Sequence, residues 1–203
     1  MKRIVFTGGG TAGHVTPNLA LIPHFLEEGW DVHYIGTADG MERGPIEKVQ
    51  GVTYHPVHSG KLRRYFDLKN FSDPFKVIYG GFEASALMRR LKPNVLFSKG
   101  GFVSVPVVYG AWLHHVPAVL HESDITPGLA NKLTVPMAKV VCTTFPEAAK
   151  LLGAKAVYTG TPLRAEIFAG DPQRGRERFG LTGSKPVLMV MGGSTGARAI
   201  NEA

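Results

Sequence analysis

Three times in this chain a short, β-branched apolar run breaks into glycines and resumes as a helical pattern. Gly8-Gly9-Gly10-Thr11-Ala12-Gly13-His14 follows Arg3–Thr7, and Lys99-Gly100-Gly101-Phe102-Val103-Ser104 follows Asn94–Ser98. Gly192-Gly193-Ser194-Thr195-Gly196-Ala197-Arg198 follows Pro186–Met191. Strands that repeatedly hand over to helices build parallel βα units, with helices on both faces of a sheet. Further strands are expected at Asp31–Ile35, Val52–His55, Ala118–His121, Lys139–Thr143 and Ala156–Thr159. Helices are expected at 17–28, 41–50, 74–91, 103–115, 127–135 and 145–152. Asp73 and Pro74 read as the cap and first residue of the helix at 74, and Pro23 reads as a kink. Ile78, Phe82 and Leu87 are expected to pack inward. Near residue 160 the pattern restarts. Gly160-Thr161-Pro162-Leu163-Arg164 reads as a connection, followed by a helix at 172–179 and the third glycine loop. The chain therefore divides into 1–162 and 163–203.

Composition narrows the class. The 203 residues are 44% hydrophobic and 19% charged, which excludes disorder as the main state and leaves enough apolar surface for a sizeable core. Cys142 is alone, so no intrachain disulfide forms. No apolar run reaches the roughly 18 residues of a membrane span, and the first apolar stretch is too short for a signal peptide. A cytoplasmic, reducing environment is the expectation. The formal net charge is +7, and residues 61–99 hold nine Lys or Arg against Asp67, Asp73 and Glu83. Lys61, Arg63, Arg64 and Lys76 stand there with Phe71 and Phe75. That segment is either an anionic-membrane face or a solvated charged face over core aromatics. No nucleic-acid motif accompanies it.

In a parallel sheet, loops that follow strands crowd at the carboxyl edge, where open α/β sheets bind ligands. Glycines allow close backbone approach, and a helix N-terminus offers free N–H groups, so the first loop suits a phosphate. Gly8, Gly10 and Gly13 fit G-x-G-x-x-G, yet the acid that dinucleotide binding places near the end of the second strand is missing, since Asp39 falls late. A P-loop is excluded because His14-Val15 stands where Lys-Ser/Thr belongs. His14 is a candidate general base or anion ligand, or else a capping histidine. Gly100, Gly101 and Ser104 form the second loop. His121-Glu122-Ser123-Asp124 with Asn131 follows the next strand, as a site or as a structural brace. No metal-ligand spacing is present.

The ordered set resembles the MurG family of peptidoglycan N-acetylglucosaminyltransferases. It comprises Gly9–His14 with Thr16-Pro17, Lys99–Ser104, His121-Glu122 with Asn131-Lys132, Gly160–Arg164 and Gly192–Ala197. The resemblance implies a GT-B fold with two Rossmann-like domains, the second only begun here. It implies inverting transfer of N-acetylglucosamine from UDP-N-acetylglucosamine to lipid I, with no cofactor, on the cytoplasmic face of the bacterial membrane. By position, Thr11, Ala12 and Gly13 would lie near the donor sugar, and Arg164 and Ser194 near UDP. His14 and Glu122 would be catalytic, with Asn131 and Asp124 shaping the sugar site. The two glycine loops, with Gly100, Gly101 and Ser104, would take the acceptor diphosphate. Lys61, Arg63, Arg64, Phe71, Phe75 and Lys76 would dock on the membrane. Asp124 stands where many members carry Asn. The 203 residues alone are expected to be inactive. A non-catalytic lipid-diphosphate and membrane-binding subunit, another lipid-directed GT-B transferase, and self-association through an exposed domain interface stay open.

Overall fold

The computed structural model describes residues 1–60, 69–183, 185–190, 192 and 198–202, with side chains for all of these except 69–76, 199 and 201. Two compact units divide at Pro162 and Leu163. The first alternates strand and helix: β1 (Arg3–Thr7), α1 (Ala12–Glu27), β2 (Asp31–Thr37), α2 (Arg43–Glu47), β3 (Val52–Val57) and α3 (Lys69–Leu91). Then come β4 (Val95–Ser98), α4 (Ser104–Leu113), β5 (Ala118–Glu122), α5 (Leu129–Thr134), β6 (Val140–Thr143), α6 (Pro146–Leu152) and β7 (Ala156–Tyr158). All seven strands are parallel, in the order β3-β2-β1-β4-β5-β6-β7.

Period-two alternation divides β1, β2, β3 and β4 between two cores. On one face Ile4, Phe6, Val32 and Tyr34 pack with Val15 and Ile22 of α1 and Ile46 of α2. On the other, Val5, Ile35, Leu96 and Leu120 pack with Ala84 and Met88 of α3 and Val107 and Ala111 of α4. The chain leaves β1 toward one side and β4 toward the other. The sheet's switch point therefore lies between these two neighbours, Thr7 against Ser98.

Most strand limits fall within two residues of expectation, and several readings need correction. α1 starts at Ala12, because Thr11 is the extended cap and Gly13 is tolerated in the first turn. Pro23 lies inside α1, as its place in the helical pattern implies, on the exposed side where water can reach the carbonyl that lacks an amide donor. α3 already runs at Lys69, so Asp73-Pro74 is interior to the helix. Its buried stripe is Ala84, Met88 and Leu91, with Leu87 against it. Ile78 and Phe82 lie off that stripe and are 58% and 71% exposed. Helix spacing places them outward, contrary to the inward packing expected.

The second unit holds α7 (Ala165–Phe168), α8 (Pro172–Arg178) and α9 (Arg198–Asn201). Asp171 caps α8 by accepting from the Gln173 N–H at 2.9 Å. The strand expected at Pro186–Met191 is absent among the described residues. A strand needs a neighbour for its N–H and C=O groups, and no other strand forms among the described residues of this unit. Leu96, fully buried in the central β4, tests the first unit's core. Leu96→Ala should cost about 2–5 kcal/mol in urea unfolding.

Candidate functional site

The loops after β1 and β4 meet backbone to backbone at the switch point. Gly101 has φ +84, and a Cβ there would stand 2.3 Å from the Gly9 carbonyl oxygen. Only glycine serves, for both the dihedral and the approach. Ser104 is buried at the start of α4, and its hydroxyl donates to the Gly101 carbonyl at 2.6 Å. It braces the loop from inside. Gly100 packs over Asn131, whose Oδ1 would lie 3.1 Å from an added Cβ.

α1 opens beside this contact. Thr11 caps it in extended conformation, and the exposed Ala12 and Gly13 begin its first turn, where N–H groups have no partner within the helix. His14 is half-buried. Its Nδ1 lies 2.9 Å from Thr11 Oγ1. Burial pushes the imidazole below its ordinary value, and the nearby Lys99 ammonium adds to that, against Glu122, the Gly9 backbone and Asp124. The ring is therefore neutral at pH 7, with one nitrogen able to accept a proton. Lys99, at the end of β4, is 1% exposed and donates to Ser123 Oγ. Burial lowers its pKa to about 8, opposed by Glu122 and Asp124.

After β5, Glu122 is buried and its carboxylate is fully engaged by its own loop. Oε1 accepts from the Asp124 N–H at 2.9 Å, and Oε2 from the Gly128 N–H and Asn131 Nδ2, both at 2.9 Å. Asn131 is buried, and its Nδ2 also reaches the His121 carbonyl at 3.4 Å. His121 Nε2 lies 2.9 Å from the Gly160 carbonyl. His121 and Glu122 thus brace separate contacts, and the exposed Asp124 faces water. Arg164 belongs to the second unit, as the extended residue before α7. Ser194, Lys61, Arg63 and Arg64 lie outside the described residues. Phe71, Phe75 and Lys76 are on α3, with their side chains also outside the description. Among the described residues, no three His, Cys, Asp or Glu side chains gather as a metal site, and no helix is long and apolar enough to cross a membrane.

One residue was missed. Glu42, fully buried just ahead of α2, turns its carboxylate under the first glycine loop. It accepts from the Thr37 N–H at 2.9 Å, Thr37 Oγ1 at 2.8 Å and the Gly10 N–H at 3.3 Å. Gly9 and Gly40 press so closely that a Cβ on either would overlap the carboxylate. A cavity of 580 Å³ opens beside it, lined by Gly9, Gly10, Thr37, His58 and Phe102 among others. The only sequence signal was an acid soon after β2, too late for ribose binding. Glu42→Gln puts an amide donor among N–H and O–H donors. It should lower stability by about 1–3 kcal/mol, read by urea unfolding.

The sequence model of the glycosyltransferase family 28 N-terminal domain matches residues 4–143. A UDP-N-acetylglucosamine--N-acetylmuramyl-(pentapeptide) pyrophosphoryl-undecaprenol N-acetylglucosamine transferase from Clostridium botulinum (strain Langeland) is 57% identical over 203 residues, covering 100% of this chain and 57% of the relative. The transferase of the same name from Lachnoclostridium phytofermentans is 58% identical over 204 residues, with the same coverage. The chain thus spans a little over half the length of these curated relatives. The crystal structure of Acinetobacter baumannii MurG superposes with TM-score 0.68 at 27% identity, over 83% of this chain and 47% of that one. Methanocaldococcus jannaschii UDP-GlcNAc 2-epimerase, in complex with UDP-GlcNAc and UDP, superposes with TM-score 0.60 at 14% identity, over 79% and 47%, a likeness of fold alone. With more than half its length matched, the chain belongs to glycosyltransferase family 28, whose N-terminal domain lies in residues 4–143.

Proposed function

We propose that this chain is the acceptor-binding portion of an inverting glycosyltransferase. The full protein would move N-acetylglucosamine from UDP-N-acetylglucosamine onto undecaprenyl-diphospho-muramoyl-pentapeptide, turning lipid I into lipid II for peptidoglycan. One observation carries the reading. The loops at the switch point gather a neutral, half-buried imidazole, a buried ammonium and unpaired helix N–H groups at one edge, in a chain 57–58% identical to two transferases of that name.

His14 takes the proton of the acceptor hydroxyl. In the tautomer whose Nδ1–H donates to Thr11 Oγ1, Nε2 carries the lone pair that accepts it. The alkoxide attacks the anomeric carbon in line and inverts it, while UDP leaves. Gly100, Gly101 and the first turn of α1, at Ala12 and Gly13, face the acceptor diphosphate with backbone N–H groups. Glu122 acts as a positioning residue. With three donors on its carboxylate, it fixes the Ser123–Gly128 loop and Asn131 and does not exchange a proton. Residues 163–203 open the nucleotide-sugar domain, where Arg164 and Ser194 contact UDP and offset the charge of the leaving group. No step calls for a cofactor.

The same reading places the protein on the cytoplasmic face of the bacterial membrane. Ile78, Tyr79 and Phe82 project from α3, and Tyr109, Trp112 and Leu113 are exposed on α4, which packs against α3. Most of the net charge of +7 falls in residues 61–99. Aromatic and aliphatic groups would dip between headgroups while the cations meet anionic lipid.

Three outcomes are expected. In the full-length protein, His14→Gln lowers kcat by about 10²–10⁴-fold with a smaller change in KM, measured with UDP-N-acetylglucosamine and a lipid I analogue. The wild-type rate falls as pH drops through the His14 pKa, below 6.5, because protonation removes the accepting lone pair. An acid limb that persists unchanged in a residually active His14→Gln would assign it elsewhere. Phe82→Ser weakens binding of this chain to anionic phospholipid vesicles by roughly tenfold, read by vesicle sedimentation.

A further inference from the structure

We infer that Lys99 is a positioning residue for His14, a buried cation that keeps the imidazole in its neutral, proton-accepting form. The inference rests on reading His14 as the base. It starts from an anomaly, since a lysine 1% exposed is rare unless its charge has a task. Its ammonium has three donors. Among the described residues, Ser123 Oγ accepts one of them, and no carboxylate oxygen stands at ion-pair distance.

Backbone geometry makes Lys99 and His14 neighbours. At Gly8 a Cβ would lie 3.0 Å from Lys99 Cβ, 2.8 Å from the His14 carbonyl oxygen and 3.2 Å from Asn18 Nδ2. The bare glycine lets the end of β4 approach the start of α1. Groups facing the imidazole come from three elements. Its own segment supplies Thr11 and the Gly9 carbonyl, β4 supplies Lys99, and the β5 end supplies Glu122 and Asp124. Burial of the ring is the first cause of its neutral form and Lys99 the second, while the two carboxylates pull toward the charged form. Glu122 already accepts three hydrogen bonds, and Asp124 is exposed to water, which weakens its field. The α1 N-terminus adds positive potential of the same sign as Lys99. Lys99 titrates at about 8, so it stays protonated throughout the range below 6.5 where His14 titrates.

The test is an NMR titration of the His14 imidazole in this chain, its resonance assigned by loss in His14→Gln. The wild-type midpoint should lie below 6.5. Lys99→Gln, which keeps a donor for Ser123 and loses the charge, should move it up. Lys99→Arg, which restores the charge, should return it toward wild type. Asp124→Asn, an exposed change, should move it down. A wild-type midpoint at or above 6.5, or one that Lys99→Gln leaves in place, overturns the inference. If Lys99→Gln does not fold, the wild-type midpoint and the Lys99→Arg and Asp124→Asn titrations decide alone. The readout needs no substrate. Absence of transfer by the full-length protein would therefore refute the proposed function and leave this result standing.

Discussion

The site depends on the contact between Gly9 and Gly101. Seven parallel strands send every following loop to one edge, but the loops after β1 and β4 come together only because Gly101 carries no side chain at the crossing. At Gly8, just ahead of this crossing, the start of α1 with His14 comes close to the end of β4 with Lys99. A methyl group at Gly101 would oppose the crossing in two ways, through its left-handed dihedral and through overlap with a backbone carbonyl that cannot swing aside.

Two buried carboxylates hold this edge, one on each side. Glu42 takes N–H and O–H groups from the first glycine loop and the end of β2, while Glu122 takes those of the loop after β5. Each satisfies donors that would otherwise be stranded away from water. The arrangement separates two tasks. The acids fix loop shape with their charge turned inward, and the first turn of α1 keeps its N–H groups free of helix partners. Tyr34 belongs to the same scaffold, since its hydroxyl donates to the Gly8 carbonyl and accepts from Asn18 Nδ2.

The sheet was legible because its strands are short, β-branched and followed by glycines, so period and punctuation agree. The glycine loops, His14 and the Glu122–Asn131 pair were legible for the same reason, since their position after a strand fixes which edge they occupy. Roles were harder to read than places. Ser104 read as a ligand group and Glu122 as either a site residue or a brace, and only the structure shows the hydrogen bonds by which both hold their own loops. Glu42 escaped because its carboxylate folds back across the end of β2, a contact with no sequence period. The outward set of Ile78 and Phe82 was misread because an aromatic stretch was taken as core, while Ala84, Met88 and Leu91 define the buried stripe. In the second unit, Pro186–Met191 has strand composition without a strand partner, and composition alone cannot supply a ladder.

That run has a bearing on handling the polypeptide. Val187, Leu188, Met189 and Val190 are uncharged, β-prone and open to solvent, Leu188 at 89%. An unpaired extended segment of this kind is a template for intermolecular pairing. Lys185 and Pro186 guard one end, as a charge and a missing donor that discourage stacking. The other end runs into Gly192 with no charge between. These four residues thus add a self-association risk remote from any chemistry, and a Lys or Glu among them would lower it without touching the sheet edge.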